Sequence, residues 1–183
     1  MLGGSQGARI FADIVPPAVA ALPPELRGVL RLSLQARPED RDRADAQLRE
    51  AGVAAEVSSF FTDVPQRLGR AHLAICRSGA STVSELAAAG RPALLVPYPH
   101  ATDDHQMANA RAFAEGGAGW VVPQPAFSAP MLANLLAERL ADPNGLTLAA
   151  SQARRFAVDD AADRLAALVL GLTPSVGKRD RAA

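Results

Sequence analysis

The stretch Ser78-Gly-Ala-Ser-Thr-Val-Ser-Glu85 follows a short apolar run at 73–76 and opens an alanine-rich segment that ends at Gly90. Its small, polar residues predict a tight turn between a buried strand and a helix. In such a strand–loop–helix unit, the backbone N–H groups at the helix N-terminus can bind a diphosphate, and a nearby carboxylate can bind a ribose. Glu85 lies close enough to the loop for its two oxygens to accept both ribose hydroxyls. The stretch therefore indicates an α/β fold with a nucleotide site.

The same residues also allow a purely structural interpretation. Ser81 or Thr82 could form an N-capping box with Glu85, in which the carboxylate only holds the start of the helix. The residues by themselves leave both interpretations open, and the two are compatible.

Strand and helix patterns alternate along the rest of the chain. Strands are predicted at 28–35, 53–60, 73–76, 92–97 and 119–122, and helices at 8–22, 38–51, 63–70, 80–89, 104–116 and 128–141. Pro16-Pro17 should break the first helix, Gly52 should end the second, and Asp63 and Ser128 are expected caps. Residues 143–172 are predicted to be wholly helical and 173–183 to be a flexible tail. This alternation predicts a Rossmann-like parallel sheet with helices on both faces and ligands at the carboxyl ends of the strands.

Composition narrows the class of protein. The chain has 183 residues, is 49% hydrophobic, and balances 19 basic against 19 acidic residues. No broad cationic surface for nucleic acid is expected, and no segment is apolar for long enough to span a membrane. Cys76 is the single cysteine, and the three histidines are scattered, so neither a disulfide nor a metal site is predicted. These features favour a cytoplasmic protein.

Two further segments have the chemistry of a ligand site. Gly3-Gly-Ser-Gln-Gly7 could bind a phosphate at the start of a helix, although glycines near a terminus are more often linker. Pro97-Tyr-Pro-His100 and Asp104-His-Gln-Met-Ala-Asn109 frame a polar loop in which His105 and Gln106 could bind the hydroxyls of a hexose. The alternative is a surface loop with Thr102 or Asp104 as a helix cap. His100 has no visible acid partner, so a role as catalytic base is not assigned.

Together, the segments GGSQGA, CRSGASTVSELAAAGRPALLVPYPH and DDHQMANA resemble the C-terminal, donor-binding half of the MurG family of bacterial transferases, glycosyltransferase family 28. The resemblance runs from about residue 3 to 170. It implies the C-terminal half of a GT-B fold, with a donor-binding domain at 1–172. The resemblance implies substrate-binding roles for Ser5, Gln6, Gly7, Phe61, Ser78, Gly79, Ala80, Ser81, Thr82, Val83, Ser84, Glu85, His105 and Gln106. Phe61 would contact uracil through its backbone, and Ser5 would lie at the diphosphate.

The resemblance also implies an activity. Members transfer N-acetylglucosamine with inversion from UDP-N-acetylglucosamine to the lipid-linked muramyl pentapeptide of peptidoglycan synthesis, and no cofactor is expected. Their N-terminal domain, which contains the acceptor pocket, the membrane-associating patch and the expected catalytic base, has no counterpart in this sequence. Most of the apolar strand before Gly3 is missing too, and since that strand would lie centrally, an interrupted sheet is expected. Contact with membrane should therefore be peripheral at most.

Three rival functions remain at this stage. The first is a subunit of a split glycosyltransferase that needs a membrane-bound partner. The second is a non-catalytic module or fragment that binds a nucleotide sugar. The third is a nicotinamide-dependent oxidoreductase, which is disfavoured because the glycine spacing is not G-x-G-x-x-G.

Overall fold

The computed structural model describes residues 8–172 of the chain. Its helices are α1 (Arg9–Ala20), α2 (Pro24–Val29), α3 (Pro38–Glu50), α4 (Val64–Arg70), α5 (Ala80–Ala88), α6 (His105–Glu115), α7 (Ala129–Leu140), α8 (Pro143–Arg155) and α9 (Ala161–Leu172). Its strands are β1 (Arg31–Gln35), β2 (Ala54–Ser58), β3 (Ala74–Cys76), β4 (Ala93–Leu95) and β5 (Gly119–Val121). The predicted strand–helix alternation is confirmed. The predicted flexible tail at 173–183 and the loop of Ser5, Gln6 and Gly7 lie outside the described residues.

The described strands form two parallel sheets. One has the order β1-β2 and the other β3-β4-β5, with β4 in the centre. Because all the pairings are parallel, the loops that follow β3 and β4 emerge side by side at one edge. Within residues 8–172, no strand pairing joins the two sheets.

A single apolar cluster joins the two sheets. Helix α1 contributes Phe11, Val15 and Val19, all fully buried, and this cluster also includes Leu34 of β1 and Leu94 of β4. A second cluster around Phe113 packs α5 and α6 against the other side of β3-β4-β5. The buried apolar area on both sides fixes the position of the loops at the carboxyl edge.

The predicted break at Pro16-Pro17 is wrong, because α1 continues through both prolines. A proline in a helix interior costs about 3 kcal/mol, whereas each fully buried Phe or Val stabilises by about 1.5–3 kcal/mol. The buried face of α1 therefore outweighs the missing hydrogen bonds. The strand predicted at 28–35 begins later, at Arg31, because Pro24 in the first turn starts the short helix α2.

Two predicted caps do not form, although Asp63 and Ser128 occupy the N-cap positions of α4 and α7. Neither side chain bonds to its helix N-terminus, and the carboxylate of Asp63 instead accepts a hydrogen bond of 2.7 Å from Arg67 Nε. Gly52 does end α3, with a positive φ of 71° that glycine adopts readily.

The predicted single helix at 143–172 is two helices, α8 and α9. The interruption follows Phe156, whose ring packs 5.4 Å from that of Phe113 between centroids. Arg154 then makes a two-pronged ion pair with Asp159 in the connecting segment. No residue of α9 is buried in the described structure. None of the described helices is long and apolar enough to cross a membrane.

Candidate functional site

The junction of β3 and α5 has the geometry expected of an anion site. Gly79 is the N-cap of α5, its ψ of 152° is extended, and no side chain caps the helix. The first hydrogen bond of the helix runs from Val83 N to Gly79 O. The N–H groups of Ala80, Ser81 and Thr82 therefore have no partner among the described residues, and the first turn contains no acidic side chain.

The capping-box interpretation of this segment is wrong. With Gly79 as N-cap there is no side-chain oxygen to form the box, and Glu85 lies in the second turn. Its carboxylate is exposed and makes no hydrogen bond or ion pair within residues 8–172. Ser81 and Ser84 are also exposed, whereas Thr82 and Val83 are half-buried. Glu85 is therefore free to accept hydrogen bonds from a ligand.

Gln106, in the first turn of α6, connects the loops that follow β3 and β4. Its Oε1 accepts hydrogen bonds from Tyr98 N at 3.0 Å and from Ser78 N at 3.4 Å. Ser78 is fully buried and its Oγ donates to Gln106 O at 2.7 Å. The structure therefore brings together two of the residues that the sequence assigns to separate loops.

The loop before α6 is strained. Asp103 and Asp104 have positive φ values of 50° and 52°, which non-glycine residues adopt at a cost of about 1–2 kcal/mol each. Neither Thr102 nor Asp104 caps α6 through its side chain, so the predicted cap is wrong, although the loop residues 102–105 are exposed as a surface loop would be. His105 Nδ1 lies 2.7 Å from Thr102 O, and because a carbonyl can only accept, this nitrogen is the donor. Left-handed pairs of this kind often occur where a binding loop is held in one shape.

Phe61 lies on another loop, after β2. Its ring is buried, and the guanidinium carbon of Arg67 lies 4.0 Å from the ring centroid. Neither its backbone N–H nor its C=O bonds to another described residue, so both remain available to a ligand. No hydrogen bond or ring contact within residues 8–172 joins Phe61 to Glu85 or Gln106.

Sequence reasoning missed Arg77 and Asn109, which hold the site together. Arg77 donates to the carbonyls of Val96 and Pro97, at 3.0 and 3.2 Å, and to Gln124 Oε1 at 2.6 Å. Burial lowers the pKa of this guanidinium. Asn109 Nδ2 donates to Ser78 O at 3.0 Å. The only available signal was that both are polar residues inside the conspicuous segments, since their partners are mostly backbone carbonyls that leave no mark in a sequence.

Cys76, the last residue of β3, is fully buried, and desolvation raises the pKa of its thiol to about 12. The thiol is therefore protonated and unreactive at neutral pH. No cluster of three metal-ligating side chains occurs in the part of the chain that the structure describes.

A cleft of about 390 Å³ lies between α3 and β2, away from these loops. Its charged lining residues pair with one another or with Arg67, as in the ion pairs Arg41–Asp42, Arg49–Asp45 and Arg67–Glu56. Because these charges are already neutralised, we place the candidate site at the carboxyl ends of β3 and β4, where donors and acceptors are free.

Residues 1–165 match the glycosyltransferase family 28 C-terminal domain. Over 167 residues the chain is 56% identical to the UDP-N-acetylglucosamine–N-acetylmuramyl-(pentapeptide) pyrophosphoryl-undecaprenol N-acetylglucosamine transferase of Rhodospirillum rubrum. This match covers 91% of the chain and 43% of the relative. The protein of the same name from Rhodospirillum centenum is 54% identical over 169 residues, 92% of the chain and 45% of the relative. The chain thus spans about half the length of these curated relatives.

The solved structures agree with the sequence matches. The crystal structure of MurG from Acinetobacter baumannii superposes with a TM-score of 0.84 at 32% identity, covering 93% of this chain and 48% of that one. The fold of residues 8–172, including the parallel strands and the order of the loops, is therefore that of the C-terminal half of a GT-B enzyme. The chain belongs to the glycosyltransferase family 28 C-terminal domain family.

Proposed function

We propose that this chain is the donor-binding half of an inverting glycosyltransferase that moves N-acetylglucosamine from UDP-N-acetylglucosamine to lipid-linked muramyl pentapeptide. The observation that carries the proposal is the bridge from Gln106 Oε1 to Ser78 N and Tyr98 N, beside the open N-terminus of α5. In the proposal, the amide of Gln106 binds the sugar. Family membership and the names of the relatives supply the substrate class. Residues 1–172 would form the donor domain.

Each part of the site has a role in this proposal. The free N–H groups at the start of α5 bind the diphosphate and stabilise the negative charge that grows on it as the glycosidic bond breaks. Glu85 accepts hydrogen bonds from the ribose hydroxyls, and the backbone of Phe61 contacts uracil. His105 and Gln106 bind the sugar, while Ser5, Gln6 and Gly7 are assigned to the diphosphate by resemblance alone.

The acceptor hydroxyl must lose its proton during transfer, and no group among the described residues is assigned as its base. We assign that step, together with acceptor binding, to the other half of a full-length family member. We further propose a location in the cytoplasm, at most peripheral on the membrane that holds the lipid-linked acceptor.

Titration calorimetry of the purified chain with UDP-N-acetylglucosamine, UDP-glucose and NAD tests donor binding. We expect saturable binding that favours the N-acetyl sugar and that Glu85→Ala weakens about tenfold or more, because two hydrogen bonds to a carboxylate are lost. Glu115→Ala is the matched control, since Glu115 is an exposed acid at the opposite end of α6 and should leave binding unchanged. Binding of NAD alone, or no binding by a folded chain, would overturn the proposal.

A second experiment separates the enzyme from a binding module. The N-terminal half of the Rhodospirillum rubrum relative, supplied in trans or fused, should restore transfer to a lipid-linked acceptor. Donor binding without transfer in either arrangement would instead support a non-catalytic nucleotide-sugar module.

A further inference from the structure

All the hydrogen-bonding groups of Ser78 are used in contacts with α6. Its N–H donates to Gln106 Oε1 at 3.4 Å, its Oγ donates to Gln106 O at 2.7 Å, and its carbonyl accepts from Asn109 Nδ2 at 3.0 Å. The residue has no exposed surface. A side chain in this position cannot touch a ligand in solvent. Its hydroxyl instead holds the start of α6 through Gln106 O.

These contacts determine how Gln106 faces the site. Both groups that bond to its Oε1 are backbone N–H donors, at Ser78 and Tyr98, so an amide oxygen and not an NH2 group must face them. The Nε2 group has no partner within residues 8–172, and the residue is half-buried. The two N–H donors on Nε2 of Gln106 are therefore free to bind a ligand.

Asn109 secures this arrangement from one turn further along α6. Residues three apart lie on the same face of a helix, so Gln106 and Asn109 both reach Ser78. Because Asn109 holds the Ser78 carbonyl, the neighbouring N–H of Ser78 stays directed at Gln106. The side chain of Asn109 makes no other hydrogen bond in the described structure, which leaves this contact as its contribution to the site.

We propose that Ser78 and Asn109 are positioning residues that hold the amide of Gln106 in one orientation. In this orientation its Nε2 group donates a hydrogen bond to an acceptor oxygen on the sugar of a nucleotide sugar. The inference rests on the proposed function and adds the direction of the hydrogen bond and the residues that fix it. Without the side-chain contact of Ser78 or of Asn109, the Ser78 loop is held less firmly against α6, so the Ser78 N–H restrains the Gln106 amide less well. Contact with the sugar then weakens, whereas the nucleotide contacts stay intact.

The test compares the affinities of the chain for UDP-N-acetylglucosamine and for UDP. We expect Asn109→Leu and Ser78→Ala each to weaken binding of UDP-N-acetylglucosamine by about fivefold to tenfold, because about one hydrogen bond to the sugar is lost. The affinity for UDP should stay within about twofold of that of the parent chain. Arg111→Leu is the matched control, because Arg111 is an exposed residue of α6 with no partner among the described residues. A parallel fall in both affinities, or no fall in either, would overturn the positioning role.

Side-chain NMR of the ligand-free chain provides a second readout that does not depend on binding. The Nε2 group of Gln106 should be rigid on the nanosecond timescale in the parent chain and in Arg111→Leu, and mobile in Asn109→Leu and Ser78→Ala. An equally rigid Gln106 amide in these two variants would refute the positioning role of Ser78 and Asn109. A different result would be that the parent chain binds UDP and UDP-N-acetylglucosamine equally well while the Gln106 amide is mobile in the two variants. That result would support the positioning role of Ser78 and Asn109 but contradict the proposed sugar site.

Discussion

Gly119 shows how strongly single residues constrain the sheet beneath the site. It begins β5, where a Cβ atom would overlap the carbonyl oxygen and backbone of Ala93 in β4. Gly119→Ala should therefore lower the free energy of unfolding by about 1–3 kcal/mol, because the strands must separate to admit the methyl group. Urea denaturation followed by circular dichroism measures the loss.

The matched control is Gly69→Ala in α4, where an added Cβ meets no atom within 4 Å. There we expect a gain of about 0.5–1 kcal/mol, since alanine favours a helix over glycine. Equal effects at the two positions would contradict the steric explanation.

At the scale of residues, the sequence points to candidate ligand-binding groups more readily than to the residues that hold them in place. Gln106 and Glu85 are recognisable because amides and carboxylates beside small-residue turns suit a nucleotide sugar, and the structure leaves groups of both free to bind. Asn109 and Arg77 were missed because most of their partners are backbone carbonyls. Arg67 was missed because it contacts Ser33, which lies 34 positions away.

At the scale of elements, Arg67 joins α4 to both strands of the smaller sheet. Its guanidinium makes hydrogen bonds of 2.7–2.9 Å to Ser33 of β1, to both carboxylate oxygens of Glu56 in β2, and to Asp63 before α4. It also covers the ring of Phe61. One side chain therefore sets the position of the loop that follows β2.

Arg67→Met should remove these bonds while keeping much of the apolar stem, and we expect a loss of about 1–2 kcal/mol of unfolding free energy. Hydrogen bonding to Arg67 holds the pKa of Asp63 below its ordinary value. The contribution of this carboxylate is therefore complete above its unfolded pKa of about 3.9 and is lost as the pH falls through the lower folded value. In urea titrations, the difference in unfolding free energy between the parent chain and Arg67→Met should become smaller below about pH 4.

Arg70→Met on the same helix is the control, because Arg70 is exposed and makes no hydrogen bond or ion pair to another described residue. It should leave stability within about 0.5 kcal/mol of the parent at every pH. A pH-independent effect of Arg67→Met would show that packing against Phe61, and not the carboxylates, supplies the stabilisation.

At the scale of the whole molecule, stability should come from residues before α9. No residue of α9 is buried, and its apolar side chains are largely exposed, with Leu165 at 62% and Leu168 at 63%. The free energy of unfolding of a chain that stops after Asp160 should therefore lie within about 0.5 kcal/mol of that of the full chain. Chemical denaturation of the two proteins tests this expectation.

A chain that stops after Ala141 is the control, since it also lacks α8, whose Ala149 and Ala153 are buried against the core. This second truncation should lower stability by several kcal/mol or prevent folding. If the shorter deletion were equally damaging, α9 would have to pack more tightly than its exposure indicates.

The sequence predicts the order of strands and helices because the alternation of apolar runs with charged, amphipathic segments is a local signal. It fails where distant contacts decide the outcome. The continuation of α1 through Pro16-Pro17 depends on Phe11 packing edge-on at 5.7 Å against Phe127, a residue far along the chain. The division of the last helix depends likewise on Phe156 meeting Phe113.

The buried thiol of Cys76 can report how often the native structure opens. It is the single cysteine of the chain, it is shielded completely, and its pKa of about 12 leaves almost no thiolate at neutral pH. A thiol-specific dye added to the native protein can react only with those molecules in which β3 has momentarily opened. Since Ser78 follows two residues later, the rate of colour development measures how often the strand that precedes the candidate site loop opens.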